Sequence, residues 1–226
     1  MARTDRDPSA PTERLCLAYT APVSTRPLFE PAAYTVFDTP VLSAALRWIA
    51  RRFFRLLGWR FEGEIPRDVT QAVIIAAPHT SNWDLPYALL AAFVLGRKVH
   101  WLGKSQIFRF PFRGLMRWLG GIAVDRSRSN NLVDAAVQCF RQSDAPLLLI
   151  VPPEGTRSAV RHWRTGFYYI ALGAQVPVVM AYMDHGTRLC GASRVLHPSG
   201  DIDADMATVR RFYAPFRGRS RREPRD

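Results

Sequence analysis

A chain of 226 residues, 48% hydrophobic and 22% charged, has the proportions of one globular domain with room for a single sizeable core. Its net charge of +12 calls for an acidic partner such as phosphate, nucleic acid or an anionic lipid surface; all but two of the 31 basic residues are arginine, the exceptions being Lys98 and Lys104. Cys16, Cys139 and Cys190 lack C-x-x-C spacing, which argues against a disulfide framework or zinc cluster and fits a reducing cytoplasmic compartment.

In chain order, residues 1–40 are rich in Pro, Thr, Arg and Asp without apolar periodicity, and read as a flexible leader that carries no chemistry. It lacks the ordered regions of a signal peptide. Residues 41–59 change character, setting Arg47, Arg51 and Arg55 at four-residue spacing, with Arg52 beside them, among large apolar side chains. The pattern predicts an amphipathic basic helix. A packing helix with a solvated arginine face would show the same pattern. We read it instead as a membrane-surface helix, with Trp48, Ile49, Phe53, Phe54, Leu56, Leu57 and Trp59 inserting and the arginines reaching anionic headgroups. No run approaches the roughly 18 apolar residues of a spanning helix, so the expected placement is peripheral, on the cytoplasmic face.

From residue 60 to 216 short β-rich runs alternate with helical stretches, the expected extent of the catalytic domain. Predicted strands cover residues 72–77, 98–102, 122–124, 146–151 and 177–182; predicted helices cover 85–95, 111–119, 132–142 and 166–174. Such alternation implies an α/β fold, a largely parallel central sheet flanked by helices, with functional loops at the carboxyl ends of the strands. Residues 217–226 form a basic tail.

Two strand exits carry chemistry. After the first predicted strand comes Pro78-His79-Thr80-Ser81-Asn82-Trp83-Asp84. A histidine there can act as general base if another group fixes its tautomer, and Asp84 is the candidate, with His79 in the turn and Asp84 near the helix start. A plain helix cap beside an incidental histidine is the alternative. At Pro153-Glu154-Gly155-Thr156-Arg157-Ser158 a carboxylate, a permissive glycine, a hydroxyl and an arginine follow another strand. Arg157 could grip a phosphate while Gly155 lets backbone amides approach; a tight turn with a surface ion pair is the alternative.

With these motifs in order, the chain resembles the glycerophospholipid and lysophospholipid acyltransferase family. His79 and Asp84 match its H-x-x-x-x-D motif, and residues 153–158 match its P-E-G-T-R-S block. Lys104, Pro111 and Gly114 fall on its second motif, followed by Gly121 and Arg126, and Val176-Pro177-Val178-Val179 on its fourth, so the resemblance spans residues 59–184. Gln106 and Ile107 replace a usual Glu-Leu, and Pro152 stands where an aromatic often precedes the third motif. The resemblance implies that His79 deprotonates an acceptor hydroxyl that attacks an acyl thioester directly. It assigns phosphate recognition to Lys104, Arg126 and Arg157, has Glu154 position the acceptor or the arginine, and counts Gly155 and Thr156 among the substrate-binding residues. It implies no cofactor beyond acyl-CoA or acyl carrier protein as donor substrate, a lysolipid acceptor, 1-acylglycerol-3-phosphate foremost, and an anionic membrane surface as partner. No G-x-S-x-G elbow offers a serine nucleophile.

Three other classes fit the sequence less well. A nucleic-acid partner would suit the charge, but no recognition-helix, zinc-finger or RNA-binding signature is present. A non-catalytic membrane-surface protein would leave His79 and Asp84 unexplained; a different glycolipid or aminolipid acceptor would not. A metal-dependent hydrolase using His79, Asp84, Glu154, His162 and Asp184 matches no zinc spacing, and no metal is expected. His100, His162, His185 and His197 read as ordinary histidines.

Overall fold

The computed structural model describes residues 29–79, 81, 83–124, 129–154 and 163–218. Helix α1 (Pro40–Leu56) leads into β1 (Arg60–Glu62) and β2 (Gln71–Ala77). Then follow α2 (Asp84–Leu95), β3 (His100–Lys104), a 3-10 helix (Ser105–Phe108), α3 (Arg113–Trp118) and β4 (Gly121–Val124). The chain continues through α4 (Ser129–Gln142), β5 (Leu147–Val151), α5 (Gly166–Ala174), β6 (Val178–Asp184), β7 (Leu189–Leu196) and α6 (Ile202–Tyr213).

The seven strands form one sheet in the order β1-β7-β6-β2-β5-β3-β4. Every pairing is parallel except the β6–β7 hairpin. Side chains alternate across the sheet, so each strand feeds two cores. Val73, Ile75, Leu147, Leu149, Val178 and Met180 belong to the core shared with α4, α5 and α6, and Ala72, Ile74, Leu148 and Val179 to the core reached by Ala92 of α2. Burial on both faces explains why β2, β5 and β6 are near-continuous apolar runs.

Two expectations need correction. Residues 29–39, assigned to a flexible leader, pack onto the domain: Phe29, Thr35 and Val36 are buried, and Lys98 pairs with Asp38 at 2.7 Å. The physical reason is that Val36 fills a pocket against Ala50 and Phe93, which no local pattern announces. Helix α1 is amphipathic, but not all its apolar residues face outward. Phe54 and Trp59 are buried with Phe61 and Tyr87, and Arg47, itself exposed, turns its Nε to donate to the Phe93 carbonyl at 3.2 Å. Trp48, Ile49, Phe53 and Leu56 remain exposed, and Arg52 lies over the Trp48 ring. Among the described residues no helix is long and apolar enough to cross a membrane.

Candidate active site

Parallel pairing decides which strand exits meet. β2 pairs with β5, Ile75 opposite Val151, so the residues that follow, Pro78-His79 and Pro153-Glu154, leave the same edge side by side. The His79 amide lies 3.1 Å from each Glu154 carboxylate oxygen and donates to both. Glu154 is 8% exposed, and burial pushes its carboxyl up to about 7, the His79 amide acting in the opposite direction. Glu154 therefore grips the backbone that carries the imidazole.

Asp84 opens α2. Its Oδ2 accepts the Ser81 amide at 2.7 Å and lies 3.2 Å from His79 Nδ1. The short Ser81–Asp84 turn thus both starts the helix and aims its first carboxylate back at the strand exit. A proton on Nδ1 satisfies this contact and leaves the Nε2 lone pair as the basic atom of the ring. His79 keeps a quarter of its side chain exposed, so that atom is accessible to substrate while the carboxylate behind it is largely covered.

A cavity of about 890 Å³ takes in the pair. His79, Asp84 and Lys104 contribute polar wall, and Ala88, Ala91 and Leu95 of α2 with Trp101 and Ile150 contribute apolar wall. Small residues on α2 keep the helix from filling the space beside the sheet. Its size suits a ligand of drug to lipid-chain dimensions. Lys104, at the carboxyl end of β3, is exposed and reaches the same cavity. Arg126, Gly155, Thr156 and Arg157 lie outside the described residues, as does His162.

Asp184 is engaged elsewhere. Its carboxylate accepts from Thr187 Oγ1 at 2.6 Å and from the Gly186 and Arg217 amides at 3.0 and 2.9 Å, holding the β6–β7 turn. The next residue, His185, stands with its Nε2 4.0 Å from Asp84 Oδ1 and its ring edge-on to Trp59. Asp84 thus faces a histidine on either side. Nothing in the local sequence marks His185 except its place just past a strand, at the same sheet edge as His79.

A family model described as Acyltransferase matches residues 58–184, more than half of the chain. The chain belongs to the acyltransferase family. The matched segment begins beside β1 and ends at Asp184, enclosing both histidine and glutamate exits, and it nearly coincides with the span of the motifs. The human protein 1-acyl-sn-glycerol-3-phosphate acyltransferase beta is 28% identical over 202 residues, covering 85% of this chain and 69% of the human one. The fold is also that of the crystal structure of the 1-acyl-sn-glycerophosphate (LPA) acyltransferase PlsC from Thermotoga maritima. The two superpose with a TM-score of 0.55 at 19% identity, over 80% of this chain and 82% of that one. As an acyltransferase, the protein has an imidazole backed by a carboxylate on the rim of an apolar cavity, the arrangement that deprotonating a hydroxyl requires.

Proposed function

We propose that this acyltransferase transfers a fatty acyl group from acyl-CoA or acyl carrier protein to the free hydroxyl of a lysophospholipid, 1-acylglycerol-3-phosphate, in phospholipid biosynthesis. The observation that carries the reading is the His79 Nδ1 to Asp84 Oδ2 contact of 3.2 Å at a largely apolar cavity. The names of the human and Thermotoga relatives support the acceptor, since both specify 1-acylglycerol phosphate.

In this mechanism His79 Nε2 takes the acceptor hydroxyl proton as the oxygen attacks the thioester carbonyl. The tetrahedral intermediate collapses with cleavage of the carbon–sulfur bond, and the imidazolium returns its proton to the departing thiolate. Asp84 stabilises the imidazolium and keeps its ring oriented. Glu154 fixes the backbone at His79, and the apolar wall takes the acyl chain and excludes water that would hydrolyse the thioester. Lys104, with Arg126 and Arg157, supplies positive charge for the acceptor phosphate. The protein would work as a peripheral protein on the cytoplasmic face, α1 presenting Trp48, Ile49, Phe53 and Leu56 to an anionic surface.

The test is to incubate purified protein with labelled acyl-CoA or acyl carrier protein and a panel of phosphorylated and neutral lysolipids and glycolipids, identifying products by mass. Acylation of the phosphorylated lysolipid, lost in His79→Ala, supports the reading. Acylation of only a neutral acceptor would move the assignment to a different lipid.

A further inference from the structure

The segment after β3 is apolar on two opposite sides. Its inner side is anchored. Phe108, 7% exposed, packs on Trp101 with ring centroids 5.9 Å apart, and Trp101 Nε1 donates to the Leu119 carbonyl at 3.0 Å. Glycines make this close fit possible: a Cβ on Gly103 or on Gly121 would come within 2.8 Å of the Phe108 ring. Trp118 and Leu119 then seat the end of α3 against Val36, Ala50 and Phe93.

The outer side is open. Phe110 is 96% exposed, Phe112 59%, Leu115 46% and Ile107 41%. A backbone pinned from behind holds these side chains out, so they have no route to the core, and a cluster of this kind on a protein surface marks an interaction site. Charge is just as one-sided. No Asp or Glu occurs between Asp84 and Asp125, a stretch that holds Arg97, Lys98, Lys104, Arg109, Arg113 and Arg117. Lys98 and Arg117 face Asp38 and Glu30, while Arg109 and Arg113 are exposed beside the phenylalanines.

We propose that residues 107–115 form a second membrane-contacting element, separate from α1: an aromatic wedge flanked by arginines that enters the headgroup layer of an anionic bilayer. The proposal rests on the lipid-acceptor reading and gives it a geometry. Lys104 and Ile107 line the same cavity as His79 and Asp84, so the wedge adjoins that cavity. Inserted there, it brings the cavity to the depth at which a lysolipid hydroxyl lies, and the acceptor need not leave the bilayer to reach the imidazole. Exposed aromatic side chains beside arginines complement a layer that is anionic at its surface and apolar beneath. A second copy would bring the same positive charge to this face, and an acidic carrier protein would satisfy the arginines without using the phenylalanines.

Vesicle flotation of the full chain tests this, with phosphatidylcholine vesicles and with mixed phosphatidylcholine–phosphatidylglycerol vesicles, at low and high salt. Phe110 and Phe112 are exposed and do not line the cavity, so the double variant Phe110→Ser, Phe112→Ser should stay folded, as its thermal transition by circular dichroism will report. It should bind both vesicle types about tenfold or more weakly, at either salt concentration. Arg109→Glu with Arg113→Glu should lose the preference for anionic vesicles, chiefly at low salt. Both variants should still acylate a short-chain acceptor dispersed without vesicles. Folded variants that float as the parent does would overturn the proposal. So would a phenylalanine variant whose only changes are loss of a dimer or loss of binding to acyl carrier protein. Flotation needs no turnover, so vesicle binding without acyl transfer would count against the proposed reaction and leave the wedge standing.

Discussion

Replacing Glu154 by glutamine separates two things the carboxylate does: it accepts the His79 amide, and it resists ionisation in a buried setting. With 8% exposure and a folded-state value raised from 4.5 to about 7, the group holds its proton to higher pH in the folded protein than in the unfolded chain. Its contribution to stability is therefore fully present below about pH 4.5 and is lost as pH rises through about 7, a swing of about 3 kcal/mol. Glutamine keeps a carbonyl oxygen for the amide and never ionises. Glu154→Gln should match the parent to within about 1 kcal/mol near pH 5, and exceed it in stability by about 2–3 kcal/mol near pH 8. Urea unfolding of parent and variant across that range, taken as a difference so that other titrating groups cancel, measures the effect. A difference that stays flat with pH, or falls as pH rises, would refute the claim that burial raises the Glu154 carboxyl in the folded protein. Glu154→Ala, which leaves the His79 amide without its acceptor, should be destabilised by about 1–3 kcal/mol.

His79→Ala should lower turnover by about two to four orders of magnitude with the fold intact, and Asp84→Asn should do comparable damage by favouring the wrong imidazole tautomer; steady-state kinetics on folded protein checks both. His185→Phe keeps an aromatic ring against Trp59 and removes the nitrogen facing Asp84 Oδ1, so a fall in kcat of about threefold to tenfold with KM unchanged is expected. Arg157→Lys keeps the charge and loses the forked geometry, so KM for a phosphorylated acceptor should rise; an unchanged KM would favour a neutral acceptor. For α1, deleting the helix would uncover Phe93 and Tyr87, so the cleaner test is Trp48→Ser with Leu56→Ser, which should weaken flotation with anionic vesicles while leaving the thermal transition in place.

The sequence by itself was sufficient for the elements whose pattern is local. β2, β5 and β6 read as apolar runs because both of their faces are covered, and α2 and α5 read as helices because their apolar stretches are long and bounded. The His79 to Asp84 spacing was legible for a similar reason: six consecutive residues contain a strand exit and a helix start, so backbone geometry alone brings the two side chains together. Helix α6 was missed, although its signals are local: Asp201 caps it by accepting from the Asp203 and Ala204 amides, and Met206, Val209 and Tyr213 recur on one face. β1 and β7 were not. β1 has three residues, and β7 contains Gly191, Ser193 and Arg194 with no clean alternation, so each exists as a strand through its partner. Only tertiary structure could bring the Glu154 carboxylate to the His79 amide across 75 residues, or place His185 against Asp84, because both depend on which strands lie side by side. The same holds for α1, where chain position does not distinguish Phe53 from Phe54. Both rings reach Tyr87, but Phe53 stays 37% exposed while Phe54, 1% exposed, also meets Phe61 and Trp59, because a helix turns about 100° per residue and the domain covers only one of its faces.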